Sequence, residues 1–375
     1  MKTKKSKLIL VICIAVAALL AASAVLYFTV FQEHVLGGIE LVSPKKGAKD
    51  IHILNDIVLE YWDFPDEKLT ASEIYTLCEA KCKDNHGQDP AIITLEWQGT
   101  SYEYIVKLGK KSDLSDAVEY VTKETKLELS ELYSGTKYYW KVLSADGKCE
   151  SYTFNFKTAY DSVRTVLIDG VINTRDIGGL KTEKGSKRIK QGMVYRGAGL
   201  TNITEQGKKD FTGKLGIKTE LNLADEHEAP KNKTWETKDL FITCYEAIFN
   251  TSDKYRNNLR DCIKLFANKD NYPIYFHCMI GRDRTGTLGF FIEQICGISD
   301  TDIKREFFLT PLAYNDGSYM GDGFMWQEAS MKTFRSLLKT YGNGTVRENS
   351  LQYLRDIGVT DEDMDNIRDI LLESY

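Results

Sequence analysis

The sequence predicts three parts in series: an N-terminal membrane-spanning helix, an all-β sandwich, and an α/β domain with a central, mostly parallel sheet flanked by helices. Three observations lead there. An uncharged apolar stretch runs from Leu8 to Phe31 behind a cluster of lysines. The middle of the chain carries short runs rich in β-branched and aromatic residues, bounded by Gly, Asp, Ser and Lys. Beyond residue 160, strand-like and helix-like runs alternate, the pattern of a layered α/β fold. The textures change at boundaries that give 1–7 as a basic flank, 8–31 as the span, 38–160 as the sandwich and 164–375 as the α/β domain.

Lys2, Lys4, Lys5 and Lys7 precede 24 uncharged residues, and crossing a hydrocarbon core takes about 20. The basic flank predicts the N-terminus inside and the bulk of the chain outside, a single-pass cell-membrane protein with an extracytoplasmic body. The competing reading is a cleaved signal peptide and a secreted product, because Ala22-Ser23-Ala24 has the A-x-A form of a cleavage site. The apolar run continues through Val25-Leu26-Tyr27-Phe28, past that cut, which favours the anchor. Cys13 lacks the small-residue setting of a lipidated cysteine and reads as a lipid-facing side chain.

A chain of 375 residues, less the anchor, has room for two domains of about 100–200 residues. A net charge of −5, with no basic run outside the N-terminal flank, gives no argument for a nucleic-acid partner. The cysteines outside the anchor are too few and irregular for a disulfide framework. Cys78-x3-Cys82 lacks a second pair at metal-ligand spacing, so no metal is expected. A disulfide among Cys78, Cys82 and Cys149 stays open, since the expected compartment permits one.

In the middle segment, Ile57-Val58-Leu59-Glu60-Tyr61-Trp62, Tyr102–Leu108, Tyr138–Leu143 and Tyr152–Lys157 read as strands of an antiparallel sandwich. Leu132-Tyr133-Ser134-Gly135-Thr136-Lys137-Tyr138 resembles the L-x-P-G-T-x-Y corner of fibronectin type III domains, with serine in place of proline. Tyr138, Trp140 and Val142 alternate and are expected on the core face. Residues 65–92, charged and holding two of the cysteines, read as an insertion into the sandwich.

In the last segment, strands are expected near 165, 194, 219, 242 and 275. A helix over 258–267 would place Leu259, Cys262, Ile263 and Phe266 on one face. The last hundred residues read as helical. Ser299 and Thr360, each with an Asp three positions on, are candidate caps, and Phe334, Leu337, Leu338 and Tyr341 form an apolar stripe. The Gly- and Asp-rich loop at 315–323 is a candidate to line the site.

The most informative window is His277-Cys278-Met279-Ile280-Gly281-Arg282-Asp283-Arg284-Thr285-Gly286. The apolar run Pro273–Phe276 before it reads as a buried strand, and Thr287–Cys296 after it as a buried helix stopping at Gly297. A strand–loop–helix unit aims the loop's N–H groups and the positive helix end at one spot that suits a phosphate. Cys278 there is expected as a thiolate nucleophile that attacks phosphorus and gives a phosphocysteine. Arg284 offers a planar fork to two phosphate oxygens. Thr285 can donate its hydroxyl to the sulfur, Asp283 can protonate the leaving oxygen and later activate water, and His277 orients the loop. The backbone of Met279, Ile280, Gly281 and Arg282 would bind the substrate phosphate. None of these roles needs a metal or a cofactor.

This window resembles the H-C-x-x-G-K-D-R-T-G loop of bacterial cysteine-dependent tyrosine and dual-specificity phosphatases. Asn173-Thr174-Arg175-Asp176-Ile177-Gly178-Gly179-Leu180 is similar to that family's N-F-R-D-[LI]-G-G opening. Met193–Ala198 resembles its [VL]-[FY]-R-S-[AG] strand, and Leu215–Leu223 its L-G-I-x-T-v-i-D-L-R strand. The likeness covers about 164–375. It implies hydrolysis of phosphomonoesters with a phosphorylated protein as substrate, or alternatively a phosphoinositide or inositol phosphate, which the paired cations Arg282 and Arg284 would suit.

Three departures stand out. Arg282 replaces the family lysine, Asn222 and Ala224 replace the acid and base of D-L-R, and Gly197 replaces the serine. The losses at 222 and 224 are the sole support for a third reading, an inactive phosphatase-like surface binding protein; the intact Cys278, Asp283 and Arg284 oppose it. Arg175 and Asp176 have two readings, as residues that help set the phosphate site or as parts of a tight glycine turn. Arg196 reads as structural. Cys244, Cys262 and Cys296 are candidates to protect Cys278 through a reversible disulfide.

Overall fold

The computed structural model describes residues 38–82, 87–160, 163–225, 230, 233–314 and 322–375. The predicted anchor over 8–31 lies outside them, as does 315–321. Among the described residues no helix is long and apolar enough to cross a membrane. The chain divides into two compact units. One comprises the residues up to Ile51 with Ile92–Leu129 and Gly135–Ala159; the other comprises His52–Ala91, Ser130–Ser134 and Tyr160–Tyr375.

The first unit is all-β. A three-stranded sheet has the order β1 (Glu40–Ser43), β3 (Ile93–Gln98), β6 (Lys126–Leu129). A five-stranded sheet has the order β2 (Ala48–Ile51), β8 (Phe154–Thr158), β7 (Lys137–Ser144), β4 (Tyr104–Gly109), β5 (Val118–Thr122). Trp97 on the first sheet meets Tyr104 on the second edge-on, with ring centroids 5.4 Å apart, so the sheets share a core. Along β7 the expected alternation holds: Tyr138, Trp140 and Val142 are buried, and their even spacing puts all three on the core face.

Ile57–Trp62 is not a strand. It lies in helix α1 (Asp56–Trp62), started by Asn55, whose side chain accepts from Val58 N at 2.9 Å. A short apolar run does not distinguish a strand from a buried helical turn. Here the cap and the burial of Val58 and Tyr61, three apart, decide for the helix. Helix α2 (Ala71–Lys81) follows, capped by Thr70. The two form a hairpin within 52–91, pinned at its base where Ala91 N donates to Ile53 O at 2.9 Å. This hairpin is inserted into the sandwich in sequence, but by packing it belongs to the second unit.

The second unit is built on a six-stranded sheet, order β14 (Glu236–Asp239), β13 (Thr219–Asn222), β15 (Ile274–His277), β12 (Val194–Gly197), β10 (Arg175–Asp176), β9 (Arg164–Thr165). β12, β13, β14 and β15 run parallel, and β10 pairs antiparallel with β12 and β9. The strand expected near 242 lies earlier, at β14. β11 (Lys187–Ile189) pairs with β16 (Leu372–Ser374), a short strand that ends the otherwise helical C-terminal stretch.

After the small helix α3 (Glu205–Lys209), α4 (Asp253–Phe266) buries Leu259, Cys262, Ile263 and Phe266 as its periodicity predicts. α5 (Asp283–Cys296) stops at Gly297 in the left-handed region and is packed by α8 (Val346–Asp356) and α9 (Asp361–Leu371). α6 (Asp300–Phe307) and α9 start with the expected Ser299 and Thr360 caps. On α7 (Asp322–Tyr341), Phe334 and Leu338 are buried, but Leu337 is 39% exposed and falls off the stripe. The hairpin's α2 packs on α7 and on the 310–313 turn.

Candidate active site

β15 lies between β12 and β13 and delivers Cys278 at its carboxyl end, directly before the loop that opens α5. Gly281 has φ +73°, and a Cβ there would lie 2.3 Å from Gly197 O, so both the conformation and the close approach require glycine. The loop carbonyls are tied outward. Met279 O accepts from Gly199 N at 3.0 Å, Ile280 O from Asn173 Nδ2 at 2.9 Å and Tyr314 OH at 2.8 Å, and Gly281 O from Arg196 Nη2 at 2.9 Å. Because the peptide plane opposes C=O and N–H, these ties turn the next amides inward. Among the described residues, no backbone N–H from Met279 to Asp283 has a protein acceptor. Cys278 is 3% exposed, and the hydroxyl of Thr285 is buried without a hydrogen-bond partner. The arrangement is a ring of donors suited to an anion, beside the Cys278 sulfur.

His277 is fully buried at the end of β15. Its Nδ1 is 3.1 Å from Cys278 O and its Nε2 3.0 Å from Glu220 Oε1, both side chains fully buried. Trp235 Nε1 and Thr237 Oγ1 donate to the other Glu220 oxygen, so the imidazole is fixed from β13.

The charged residues at the mouth are paired in the free protein. Arg284 Nη1 is 3.5 Å from Asp225, a half-exposed residue just past β13. Arg282 forks onto Asp283, with bonds of 3.0 and 3.2 Å, and Tyr245 donates its hydroxyl to Asp283 Oδ1 at 2.6 Å. Tyr245 is held at φ +52°, a strained conformation for an aromatic residue. Burial, then the Asp283 charge, pushes its hydroxyl well above the ordinary tyrosine value. Of the three cysteines proposed to protect Cys278, Cys244 is the one whose thiol feels the charges of Asp283, Arg284 and Cys278; burial first, then Asp283, pushes it up to about 12. Cys262 faces Leu240 O, and Cys296 ends α5, roughly 20 Å of helix from the loop. The described cysteines are all free thiols.

Arg175 and Asp176, which had two readings, as parts of the phosphate site or of a glycine turn, are fully buried on β10, and their charges are taken up by other partners. Asp176 pairs with Arg164 at 2.9 Å and accepts from Gly178 N and Gly192 N. Arg175 pairs with Glu306 at 2.7 Å and donates to Asn173 Oδ1 at 2.5 Å. Their part is indirect: they hold the segment whose Asn173 grips Ile280. Arg196 is structural, and specifically a brace, since it joins Glu306 at 2.6 Å to Gly281 O.

Behind the loop, two arginines therefore share one ionised carboxylate. Burial lowers Arg196 to about 10 despite Glu306, which still leaves it charged at neutral pH. Glu293, fully buried beside Glu306, is pushed far up by burial and then by the Glu306 charge, and in its protonated form it hydrogen-bonds Glu306. A raised acid gives stability below its unfolded value that fades as pH climbs toward the folded one. Glu293→Gln mimics the neutral acid, so its melting temperature should gain on wild type more at about pH 8 than at about pH 5; thermal melts at both check this.

Two of the departures have local explanations. A Cβ at Gly197 would lie 2.4 Å from the hydroxyl of Tyr275, which occupies that space and bonds Ala198 O. Asn222 accepts from Ala224 N at 3.0 Å and donates to Asp239 at 2.8 Å, so it closes its turn as a neutral residue. Sequence reasoning missed Glu220, Tyr245, Asn173 and Glu306 as parts of the site. Glu306 alone left a local sign, a single acid ahead of Phe307-Phe308-Leu309.

Residues 166–373 match the tyrosine phosphatase family. No protein of curated function matches the chain. Among solved structures, it is similar to the core catalytic domain of the PP-IP phosphatase SIW14 from S. cerevisiae in complex with citrate. The identity is 19% and the TM-score 0.28, over 42% of this chain and 89% of that one. A second structure of the Siw14 catalytic core is 16% identical at TM-score 0.28, over 44% and 88%. Those scores are too low to carry an argument about this chain. The family match, by contrast, takes in the parallel sheet, the loop from Cys278 to Arg284 and the helices around it, and with more than half of its length so accounted for the chain belongs to the tyrosine phosphatase family.

Proposed function

We propose that this protein hydrolyses phosphomonoesters through a phosphocysteine intermediate and that its substrate is phosphotyrosine on proteins. One observation carries the reading: the loop carbonyls are bonded outward, which leaves a ring of inward amides beside Cys278 with Thr285 unpartnered. In the first step the Cys278 sulfur attacks phosphorus, the ester P–O bond breaks, and the leaving oxygen takes a proton from Asp283. In the second, water gives its proton back to Asp283 and its oxygen displaces the sulfur. Arg284 exchanges Asp225 for two phosphate oxygens as substrate enters. Asp283 acts once the Arg282 fork opens, with Tyr245 holding the carboxyl in place.

A phosphoinositide would need several cations at the mouth, and in the free protein Arg282 is paired with Asp283. The rim instead offers apolar surface. Met279 is 45% exposed, and Trp326, 50% exposed, lies edge-on to Tyr245 with centroids 5.6 Å apart. An aromatic leaving group suits that rim. The N-terminal span, the extracytoplasmic placement of the body and the fibronectin-like character of the sandwich belong to the same proposal, and rest on Leu8–Phe31, its lysines and the Leu132–Tyr138 motif. Assays of the full chain on a phosphotyrosine peptide and on phosphoinositide vesicles, side by side, test the substrate. The peptide should be preferred by on the order of tenfold or more in kcat/KM; a lipid preference would sink the tyrosine reading.

A further inference from the structure

The 52–91 hairpin, remote from Cys278 in sequence, is bonded to residues that hold the phosphate loop. Asn55, besides capping α1, donates to Gly87 O at 3.2 Å and Asp89 O at 2.7 Å, which fixes the returning strand of the hairpin. Tyr61 donates to Arg305 O at 2.5 Å, Arg305 Nη2 to Phe64 O at 3.0 Å, and Ala71 N to Glu328 Oε2 at 2.8 Å, so the hairpin is bonded to α6 and α7. Gln88, 6% exposed, then donates to Leu309 O at 2.5 Å and to Asn173 Oδ1 at 3.4 Å. Asn173 is the residue whose Nδ2 holds Ile280 O at 2.9 Å and also reaches Thr310 Oγ1 at 3.3 Å. It sits at φ +59°, a conformation asparagine tolerates better than most.

We propose that Gln88 is a positioning residue for the phosphate loop, acting through Asn173 on the carbonyl of Ile280. An amide side chain is planar, so fixing its oxygen fixes the direction of its N–H groups. Asn173 Oδ1 is held from one side by Arg175 and from the other by Gln88. Its Nδ2 is thereby aimed at Ile280 O, and that carbonyl's outward direction sets the inward direction of the following amide. The hairpin, encoded within the β region, thus helps shape the anion site. The proposal rests on the hydrolytic reading for its kinetic readout only.

The test uses the full chain with two substitutions that spare the nucleophile and the clamp. Gln88→Met keeps the volume and removes the donor. Asn173→Gly keeps the backbone conformation and removes the side chain. Gln88→Met should lower kcat on p-nitrophenyl phosphate by roughly five- to tenfold with KM within about twofold, since misaligned amides cost transition-state more than ground-state binding. Orthovanadate affinity should fall by a similar factor while inorganic phosphate affinity changes little. Asn173→Gly should lose more, and adding Gln88→Met to it should cost nothing further.

Unaltered kcat and vanadate affinity in Gln88→Met, whatever its melting temperature, would make the hairpin a structural brace and overturn the proposal. So would additive losses in the double variant. Should Gln88→Met not fold, unchanged vanadate affinity in Asn173→Gly would overturn it from the other end. Absence of turnover in the unsubstituted chain would sink the hydrolytic reading by itself, because the Gln88–Asn173 coupling is still read from vanadate binding.

Discussion

Cys278→Ser should abolish turnover, by on the order of 10⁴-fold or more, in a protein that remains folded. The sulfur sits at the carboxyl end of β15, directly before the loop whose amides lack a protein acceptor. A serine hydroxyl stays protonated at neutral pH where a thiol can ionise, so the same position no longer supplies an anion to attack phosphorus. The swap is nearly volume-neutral at a residue 3% exposed, so stability should change by no more than about 1 kcal/mol. Turnover of p-nitrophenyl phosphate by the full chain, with chelator and reductant present, is the measurement. A serine variant as active as wild type would remove Cys278 from the mechanism. A folded wild type without turnover would favour the surface-binding reading.

Glu306→Gln should destabilise the protein by about 3–5 kcal/mol, because it strands two buried guanidiniums that share one carboxylate. Burial alone would raise Glu306, but Arg175 and Arg196 outweigh it and hold the carboxyl below its ordinary range. For a lowered acid the linked stability is present above the unfolded value of about 4.3 and is lost as pH falls through the folded one. Wild type should therefore lose this part of its stability on acidification, and Glu306→Gln should not. Urea unfolding at neutral pH and again below about pH 4, where the carboxylate begins to protonate, gives both results. An unchanged midpoint in the variant would mean the arginines are neutralised by something else. Because Arg196 also holds Gly281 O, residual activity should fall as well, at temperatures where the variant is still folded.

The loop from Cys278 to Arg284 was legible because the pattern that marks it is local. Cys278, Arg284 and the glycine between them must lie within one turn of loop, so their spacing is written in one window. The helix caps at Ser299 and Thr360 are equally local. What escaped was set by tertiary partners. Arg175 meets Glu306 across 131 positions, and nothing near Arg175 says that its guanidinium is taken up by that carboxylate. Glu220 matters through His277, 57 positions on. Ile57–Trp62 failed for another reason: seven residues of apolar helix and a strand look alike, and the deciding sign was the polar Asn55 ahead of the run.

The division of the chain into interleaved units has a consequence for biosynthesis. The hairpin leaves the ribosome by residue 91, whereas α6 and α7, on which it packs, begin at Asp300 and Asp322. At roughly 5–20 residues per second, the apolar face bearing Val58, Tyr61, Ile74 and Leu77 waits on the order of 10–40 s for its partners. All the strands of the first unit are made by Thr158, well within that interval. The nascent chain thus passes through a stage in which its sandwich can close while an uncovered helical pair remains attached, a natural landing place for a chaperone and the point at which a stalled or truncated product would be most prone to aggregate.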